Sequence, residues 1–158
     1  MDQEKTVFEK IVSLLDSHSV QYTVIEHAPT PTSEDSAKAR GESIKIGAKA
    51  LLVKGKKGFV VAVMPANRRL DTKKFRKIIA SKSLRFASIE ELMELTGLPK
   101  GALPPFGTVV GLPLYVDSSL FEEEWMAFNA GDLCKSIKMK TVDFRRVGGF
   151  EEGEFSFE

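Results

Sequence analysis

Two apolar runs separated by a short lysine- and glycine-rich segment constrain this chain more than any other feature. The runs are residues 48–53 and 59–64, and the five residues between them include Gly55 and Gly58. This pattern predicts a β-hairpin. The second run is apolar on both alternating faces, which is typical of a strand that is buried on both sides in the middle of a sheet.

Lys49 is the one charged residue in the first run. It shares a strand face with Leu51 and Val53, because side chains alternate along a strand with a period of two. A lysine in this place either reaches water at the end of the sheet or meets an anion. Two interpretations therefore stay open from this stretch alone: a solvated strand-end lysine, or a phosphate-binding lysine at the mouth of a pocket.

The composition is that of a single-domain globular protein. The chain has 158 residues, of which 42% are hydrophobic, and its formal net charge of +1 produces no overall field that would attract nucleic acid. One cysteine excludes an internal disulfide, and two histidines without ligand spacing argue against a zinc site. The first ten residues carry no apolar core of the kind found in signal peptides, and no apolar run approaches membrane-spanning length, so we expect neither a signal peptide nor a membrane span. We therefore expect a cytoplasmic protein that needs no metal and no membrane.

Helical signals interrupt the strands at irregular intervals. Thr6 with Glu9, and Ser88 with Glu91, are capping boxes that predict helix starts. The predicted helices are 6–18, one from Thr32 or Ser33 to Gly41, 72–81, 88–97 and a short one capped by Thr141; the predicted strands besides the hairpin are 22–25, 84–87, 108–112, 114–117, 125–128 and 136–139. Because strands mostly follow one another, we expect a mixed α/β fold with a curved sheet and helices packed outside it.

Two segments leave alternatives open. The lysine-rich helix 72–81 is either a solvated face or a patch that meets RNA phosphates. Residues 1–150 are expected to form one domain, and residues 151–158 an acidic tail with scattered aromatic residues. The C-terminal stretch is either a frayed end or an arm that docks on the protein or on a neighbour.

No catalytic motif announces a nucleophile. The chain contains no Gly-x-Ser-x-Gly elbow and no Walker loop, and no motif links Cys134 to a histidine. His27 lies in a proline-containing loop, which suits either a functional or a structural role. The loops around Gly101 and Gly131 can present main-chain N–H groups to a carbonyl or an oxyanion, although such loops are often only turns.

Several fragments, taken in order, resemble one family. They are His27-x-Pro29-x-x-Thr32, Lys49-Ala-Leu-Leu-Val, residues 60–65, Leu70-Asp71-x-Lys73-Lys74, Leu95-Thr96-Gly97, Gly101-x-x-x-Pro105-x-Gly107, Val116-Asp117 and Asn129-Ala-Gly131. No fragment is specific alone, but the ordered set covers residues 6–147. It resembles the YbaK/prolyl-tRNA-synthetase-associated domain family of free-standing, trans-editing aminoacyl-tRNA deacylases.

The resemblance implies a barrel-like, mixed or mostly antiparallel sheet and an enzyme without a cofactor. The implied reaction is hydrolysis of the ester that joins a mischarged small amino acid to a tRNA, with tRNA for proline as the expected carrier. The implied partners are the acceptor end of the aminoacyl-tRNA and an aminoacyl-tRNA synthetase, with no DNA and no membrane. The expected oligomeric state is a monomer or a weak dimer.

The resemblance also assigns the site. Lys49 matches the lysine that binds the terminal phosphate region of the tRNA, and Lys49, Gly101 and Gly131 form the expected catalytic set. The expected substrate-binding residues are His27, Thr32, Pro105, Phe106, Asn129 and Ala130. Lys100 and Pro104 depart from the family's Gly-Gly-hydrophobic-Ser-Pro pattern, which bears on amino-acid specificity more than on fold.

Two other functions remain open at this point. One is a non-catalytic module that binds tRNA or a synthetase on the same fold. The other is a hydrolase or binding protein for a different small ester. Lys49 separates the deacylase from the latter, because a pocket for a neutral ligand has no need of a phosphate-binding cation.

Overall fold

The computed structural model describes residues 5–29 and 32–158. The helices are α1 (Val7–Ser17), α2 (Ser33–Arg40), α3 (Thr72–Ile78), α4 (Ile89–Thr96), α5 (Gly107–Val110) and α6 (Thr141–Val147), with 3₁₀ turns at Ile44–Ile46 and Ser118–Glu122. The strands are β1 (Tyr22–Glu26), β2 (Ala48–Gly55), β3 (Gly58–Pro65), β4 (Arg69–Leu70), β5 (Arg85–Phe86), β6 (Leu114–Asp117), β7 (Trp125–Asn129), β8 (Lys135–Lys140), β9 (Glu151–Gly153) and β10 (Ser156–Phe157). The sequence-based statements about residues 1–4, Thr30 and Pro31 lie outside the described residues.

The described strands form three sheets. A five-stranded sheet has the order β5-β2-β3-β6-β9, a three-stranded sheet has the order β1-β8-β7, and β10 pairs with β4. The predicted hairpin is confirmed, because β2 and β3 pair antiparallel from Ala48 with Pro65 to Gly55 with Gly58. The interior position of the second run is also confirmed, since β3 lies between β2 and β6.

The helix-start signals at Thr6, Thr32 and Ser88 act as the sequence predicts. Thr6 and Ser88 each accept a hydrogen bond from the third residue of the helix, and Glu9 and Glu91 complete both capping boxes. Thr32 is the N-cap of α2 through a bond from the Asp35 N–H. The Thr141 prediction is wrong: its hydroxyl donates instead to the Glu123 carbonyl oxygen, 2.7 Å away, and so it ties α6 to the preceding chain.

The predicted strand at residues 108–112 is also wrong, because Gly107–Val110 form the short helix α5. A brief apolar run cannot be distinguished from a buried helical turn by periodicity alone. The turn closes when the Leu112 N–H donates to the Gly107 carbonyl oxygen at 3.0 Å. Gly111 makes this reversal possible, since its φ of 75° is in the left-handed region that glycine tolerates. The helix predicted at 72–81 likewise stops early, at Ile78.

The C-terminal stretch is a docked arm, and its interpretation as a frayed end is wrong. Strand β9 adds to β6 in parallel, and β10 pairs with β4. Between them Phe155 is fully buried, and its N–H donates to the Asp117 carboxylate at 2.6 Å. The arm therefore completes one edge of the five-stranded sheet and one of the two hydrophobic clusters.

The two hydrophobic clusters lie on opposite faces of the five-stranded sheet. The larger contains Leu52, Val61 and Val63 with the buried face of α1, and the smaller contains Val53, Met64 and Phe75 with the C-terminal arm.

The mixed α/β class of the fold is confirmed. The sheet is not a closed barrel among the described residues, because β2 and β7 are not paired and the chain is bridged to β7 only at Gly47, the residue before β2, which faces Ala127. The cleft that remains between these two strands is where the site lies.

Candidate active site

A cavity of about 580 Å³ fills the cleft between β2 and β7. Its walls come from four further segments: α2, the stretch from β5 into α4, the loop before α5, and the turn after β3. The residues that line it include Thr32, Ser36, Arg40, Lys49, Ala50, Leu52, Phe86, Ile89, Lys100, Gly101, Leu103, Ala127 and Asn129. The family-derived residues Thr32, Lys49, Gly101 and Asn129 are therefore brought together in one cavity.

The edge of β2 faces this cavity with its main chain. The Leu52 carbonyl oxygen accepts a hydrogen bond from the Ala87 N–H at 2.9 Å, on the side away from β3. Main-chain groups of alternate residues in an antiparallel pair point to the same side. The N–H and C=O groups of Ala50 therefore point into the cavity, where no described strand pairs with them.

Lys49 is a half-buried cation without a partner in the part of the chain that the structure describes, where it has neither a hydrogen bond nor an ion pair. Burial lowers the pKa of the Lys49 ammonium, and the positive charge of Arg69 lowers it further. Both effects disfavour the charged form of Lys49, so an anion that approaches this lysine would stabilise its positive charge. The phosphate-binding interpretation of this lysine thus has an electrostatic basis.

Asn129 joins two walls of the cavity. Its side-chain amide donates to the Gly101 carbonyl oxygen at 2.9 Å and to the Ser36 hydroxyl at 3.2 Å. Gly101 has a φ of 93°, a backbone conformation that glycine adopts without strain. The amide of Asn129 consequently fixes the position of the Gly101 loop relative to α2.

Ser136, on β8, supports this arrangement from behind. Its fully buried hydroxyl donates to Asn129 Oδ1 at 3.0 Å and accepts from Arg40 Nη1 at 3.0 Å. His27 Nε2 lies 2.8 Å from the same hydroxyl, and His27 Nδ1 lies 2.8 Å from the Ala28 carbonyl oxygen. His27 is not a lining residue of the cavity, so its contact with the site runs through Ser136.

Arg40 is a buried charge in the cavity wall. Its side chain is 2% exposed and lies 3.8 Å from the Glu42 carboxylate, which also pairs with Lys138 at 2.8 Å. Burial lowers the pKa of the Arg40 guanidinium, and Glu42 opposes that shift. This charge chain ties the end of α2 to β8 and gives one end of the cavity a polar character.

Besides His27, four residues of the expected site lie behind the cavity wall rather than on it. The N–H of Gly131 donates to the Ala102 carbonyl oxygen at 3.0 Å, and a Cβ on Gly131 would collide with Val7 of α1. Phe106 packs edge-to-face against Phe128 and Phe144 in the core. Ala130 and Pro105 are buried beside it.

The structure adds residues that the sequence did not single out. Ser36, Arg40, Phe86 and Ser136 all belong to the site or its support. A serine within a strand and an arginine in the last turn of a helix carry no signal of burial, so only the tertiary structure identifies them.

Among the described residues, no group of three or more His, Cys, Asp or Glu side chains is placed to hold a metal ion. No described helix is long and apolar enough to cross a membrane.

Comparison with known proteins places the chain in a family. The model of the aminoacyl-tRNA editing domain matches residues 27–147. The multifunctional Ser/Thr-tRNA deacylase ProXp-y of Escherichia coli (strain K12) is 33% identical over 152 residues, which cover 93% of this chain and 91% of that protein. The prolyl-tRNA editing protein ProX of Acetoanaerobium sticklandii is 26% identical over 145 residues, covering 88% of each.

A solved structure shares the fold. The crystal structure of a candidate trans-editing enzyme for prolyl tRNA synthetase superimposes with a TM-score of 0.82 at 24% identity, covering 99% of this chain and all of that one. The chain belongs to the aminoacyl-tRNA editing domain family. The family resemblance found in the sequence is thereby confirmed, whereas the roles of the individual site residues stay predictions.

Proposed function

We propose that this protein is a trans-editing aminoacyl-tRNA deacylase that acts on a small amino acid wrongly attached to tRNA, with tRNA for proline as the carrier. The observation that carries the proposal is the placement of Lys49, a half-buried cation without a described partner, at a cavity lined by main chain and small residues. The names of the two relatives, a Ser/Thr-tRNA deacylase and a prolyl-tRNA editing protein, support both the reaction and the carrier.

The reaction needs positioned groups more than a nucleophilic side chain. A water molecule attacks the ester carbonyl carbon, and the carbonyl oxygen becomes an oxyanion. The bond from carbon to the ribose oxygen then breaks, a proton from the water passes to that oxygen, and the amino acid and the tRNA separate. An aminoacyl ester is already activated, so orientation and oxyanion stabilisation supply the rate enhancement.

Main-chain N–H donors are suited to stabilising the oxyanion. The Ala50 N–H points into the cavity from the open edge of β2, and the Gly101 loop lies across from it. Main-chain N–H groups held in place by strand pairing need no reorganisation when negative charge develops. Lys49 holds the terminal phosphate region, so the ester is fixed between a charge contact and these donors.

The polar end of the cavity favours an amino acid with a hydroxyl group. Ser36 and Asn129 lie there, and the small residues Gly47, Ala48 and Ala127 form the wall beside them. Small walls exclude bulky side chains, and a site that hydrogen-bonds a hydroxyl discriminates against the analogue that lacks it. We therefore place serine and threonine ahead of alanine as substrates.

The test is a panel of tRNAs for proline charged with serine, threonine, alanine, cysteine or proline. Release of the amino acid is measured under single-turnover conditions, with enzyme in excess. The expected result is fastest release of serine or threonine and the slowest release of proline. Binding of every charged tRNA without release of any amino acid would contradict the proposal and favour a non-catalytic binding module.

Asn129 offers a test of how the site is positioned. Asn129→Asp keeps the shape and the oxygen that accepts from Ser136 but replaces the donor to Gly101 with a second acceptor. A loop displaced by about 1 Å can cost about 100-fold in rate, so we expect kcat for deacylation to fall by about 10- to 100-fold. Single-turnover hydrolysis of charged tRNA measures this change.

The control for this variant is Asn129→Gln, which keeps both the donor and the acceptor on a longer side chain. It should retain more activity than Asn129→Asp. An Asn129→Asp enzyme with wild-type kcat would show that the bond to Gly101 does not position the site.

Two further statements remain predictions of the family resemblance. One is an aminoacyl-tRNA synthetase as a second partner. The other is the monomeric or weakly dimeric state.

A further inference from the structure

The cavity is longer than an aminoacyl group requires. It follows β2 from Ala48, near Ala127, to the point where Val53 pairs with Phe86. Five residues of extended strand span about 17 Å. A volume of about 580 Å³ falls in the range that encloses ligands much larger than one serine. A second part of the substrate therefore has room at the end opposite Ser36 and Asn129.

This second end is apolar and open. Phe86 and Ile89 line it, yet they are 57% and 59% exposed, so their apolar surfaces face a space that no described side chain fills. Leu92 and Leu103 form the floor. An aromatic ring and a branched aliphatic side chain that remain exposed at a cavity are suited to a flat apolar ligand.

Hydrogen bonds on both sides of Phe86 hold the main chain that carries it. Arg85 donates two hydrogen bonds to Glu91, at 2.7 and 2.8 Å, and Glu91 also completes the capping box with Ser88. On the other side of Phe86, the Ala87 N–H donates to the Leu52 carbonyl oxygen. The backbone on both sides of Phe86 is thus fixed, and its exposure is a property of the fold rather than of a loose segment.

The rim of the cavity identifies the chemistry of the occupant. Lys49 and the exposed Lys100 line it, and Arg69 lies close enough to Lys49 to lower the pKa of that lysine. None of these three side chains forms an ion pair with a carboxylate among the described residues. A flat apolar surface next to unpaired cations matches a nucleotide, in which a planar base adjoins a phosphate.

We infer that Phe86 and Ile89 bind the terminal nucleobase of the single-stranded RNA end, with Phe86 stacking on the base, while the aminoacyl group occupies the end lined by Ser36 and Asn129. The identity of the RNA rests on the proposed function. The base contact itself does not depend on hydrolysis. Stacking on an aromatic side chain tolerates any base, so it anchors the chain end without selecting its sequence.

The test uses a short RNA that ends in cytidine, cytidine and 2-aminopurine, a fluorescent base whose emission falls when it stacks. Wild-type protein should quench the emission, and Phe86→Ala should bind about tenfold more weakly and lose most of the quenching. Phe86→Tyr should retain both, because it keeps the aromatic face. Phe86→Leu, which keeps apolar area alone, should fall between alanine and the wild type.

Met93→Ala is the matched control. Met93 lies one helical turn beyond Ile89 on α4, is 48% exposed and does not line the cavity. This variant should bind and quench like the wild type. Equal binding and quenching by Phe86→Ala and Met93→Ala would overturn the inference, as would full quenching by Phe86→Leu.

A parallel deacylation assay separates this inference from the proposed function. If wild-type protein releases no amino acid from charged tRNA but quenching still depends on Phe86, the base site stands and the deacylase proposal fails. If deacylation is normal in Phe86→Ala and quenching is unchanged, the deacylase stands and the base site fails. If the alanine variant unfolds, the tyrosine and leucine variants still decide the outcome.

Discussion

Lys49→Ala is expected to lower kcat/KM for hydrolysis of mischarged tRNA by at least about 100-fold, which is the scale on which one preorganised electrostatic contact acts. The physical reason is that Lys49 is the half-buried cation at the cavity and has no described carboxylate to neutralise it. Its replacement would therefore remove the proposed contact to the tRNA phosphate without leaving a buried anion unpaired. Single-turnover hydrolysis and tRNA binding, measured on the same preparations, report the two effects.

The fold should survive this change. The Lys49 ammonium has a pKa lowered by burial and then by Arg69, so the folded state holds the charged form at a disadvantage. That disadvantage is fully present below the lowered pKa and is relieved as the pH rises toward the ordinary lysine value. Lys49→Met, which keeps the apolar stem, should consequently be at least as stable as the wild type at neutral pH.

The pH dependence and a charge-conserving variant serve as controls. Deacylation by the wild type should decline as the pH rises through the lowered pKa of Lys49, where the positive charge is lost. Lys49→Arg should retain measurable activity, because it retains a cation that binds phosphate. Wild-type activity in Lys49→Ala would show that the proposed mechanism is wrong.

Phe155→Ala is expected to reduce the free energy of unfolding by about 3–4 kcal/mol. The Phe155 ring is fully buried and packs edge-to-face against Phe75, with 4.8 Å between the ring centroids. Its removal leaves a cavity under the C-terminal arm and weakens the contact that holds β9 and β10 in place. Urea denaturation followed by circular dichroism measures the loss.

Phe157→Ala is the matched control, two residues further along the same arm. Phe157 is 46% exposed, so its replacement should change stability by less than about 1 kcal/mol. Similar small effects from both substitutions would mean that the arm is not docked in solution.

Local signals in the sequence predict much of the frame of this fold. The capping residues Thr6 and Ser88 each satisfy main-chain donors within one helical turn, so their effect does not depend on distant parts of the chain. The hairpin of β2 and β3 is equally local, because its two strands are joined by a tight turn. Gly97 ends α4 for a similar reason, since its φ of 74° is one that glycine adopts readily.

Features that depend on contacts distant in sequence were not predictable. The apolar run at 108–112 becomes α5 because of how it packs, and residues 151–157 become strands because β6 and β4 have open edges. The gap between β2 and β7 depends on the five-stranded sheet and the three-stranded sheet together. Each of these depends on partners that lie far away along the chain.

The residues of the candidate site also fall into two groups: those that the sequence signals and those that only the tertiary structure identifies. Lys49 stands out in the sequence as a charge in an apolar strand, and Gly101 and Asn129 belong to recognisable loops. Ser136 and Arg40 do not stand out, because their importance comes from one buried hydroxyl shared between α2, β7 and β8. Phe86 resembles an ordinary strand residue until its exposure at the cavity is seen.

The proposed function places the aminoacylated 3′ end of a tRNA in one cavity, between β2 and β7. The most direct measurement is a crystal structure with a stable analogue, cytidylyl-adenosine that carries serine through an amide bond at its 3′ position. The expected complex has the seryl group beside Asn129, the phosphate at Lys49 and the adenine against Phe86. An analogue that binds outside this cavity, or that leaves Lys49 without a phosphate contact, would contradict the claim.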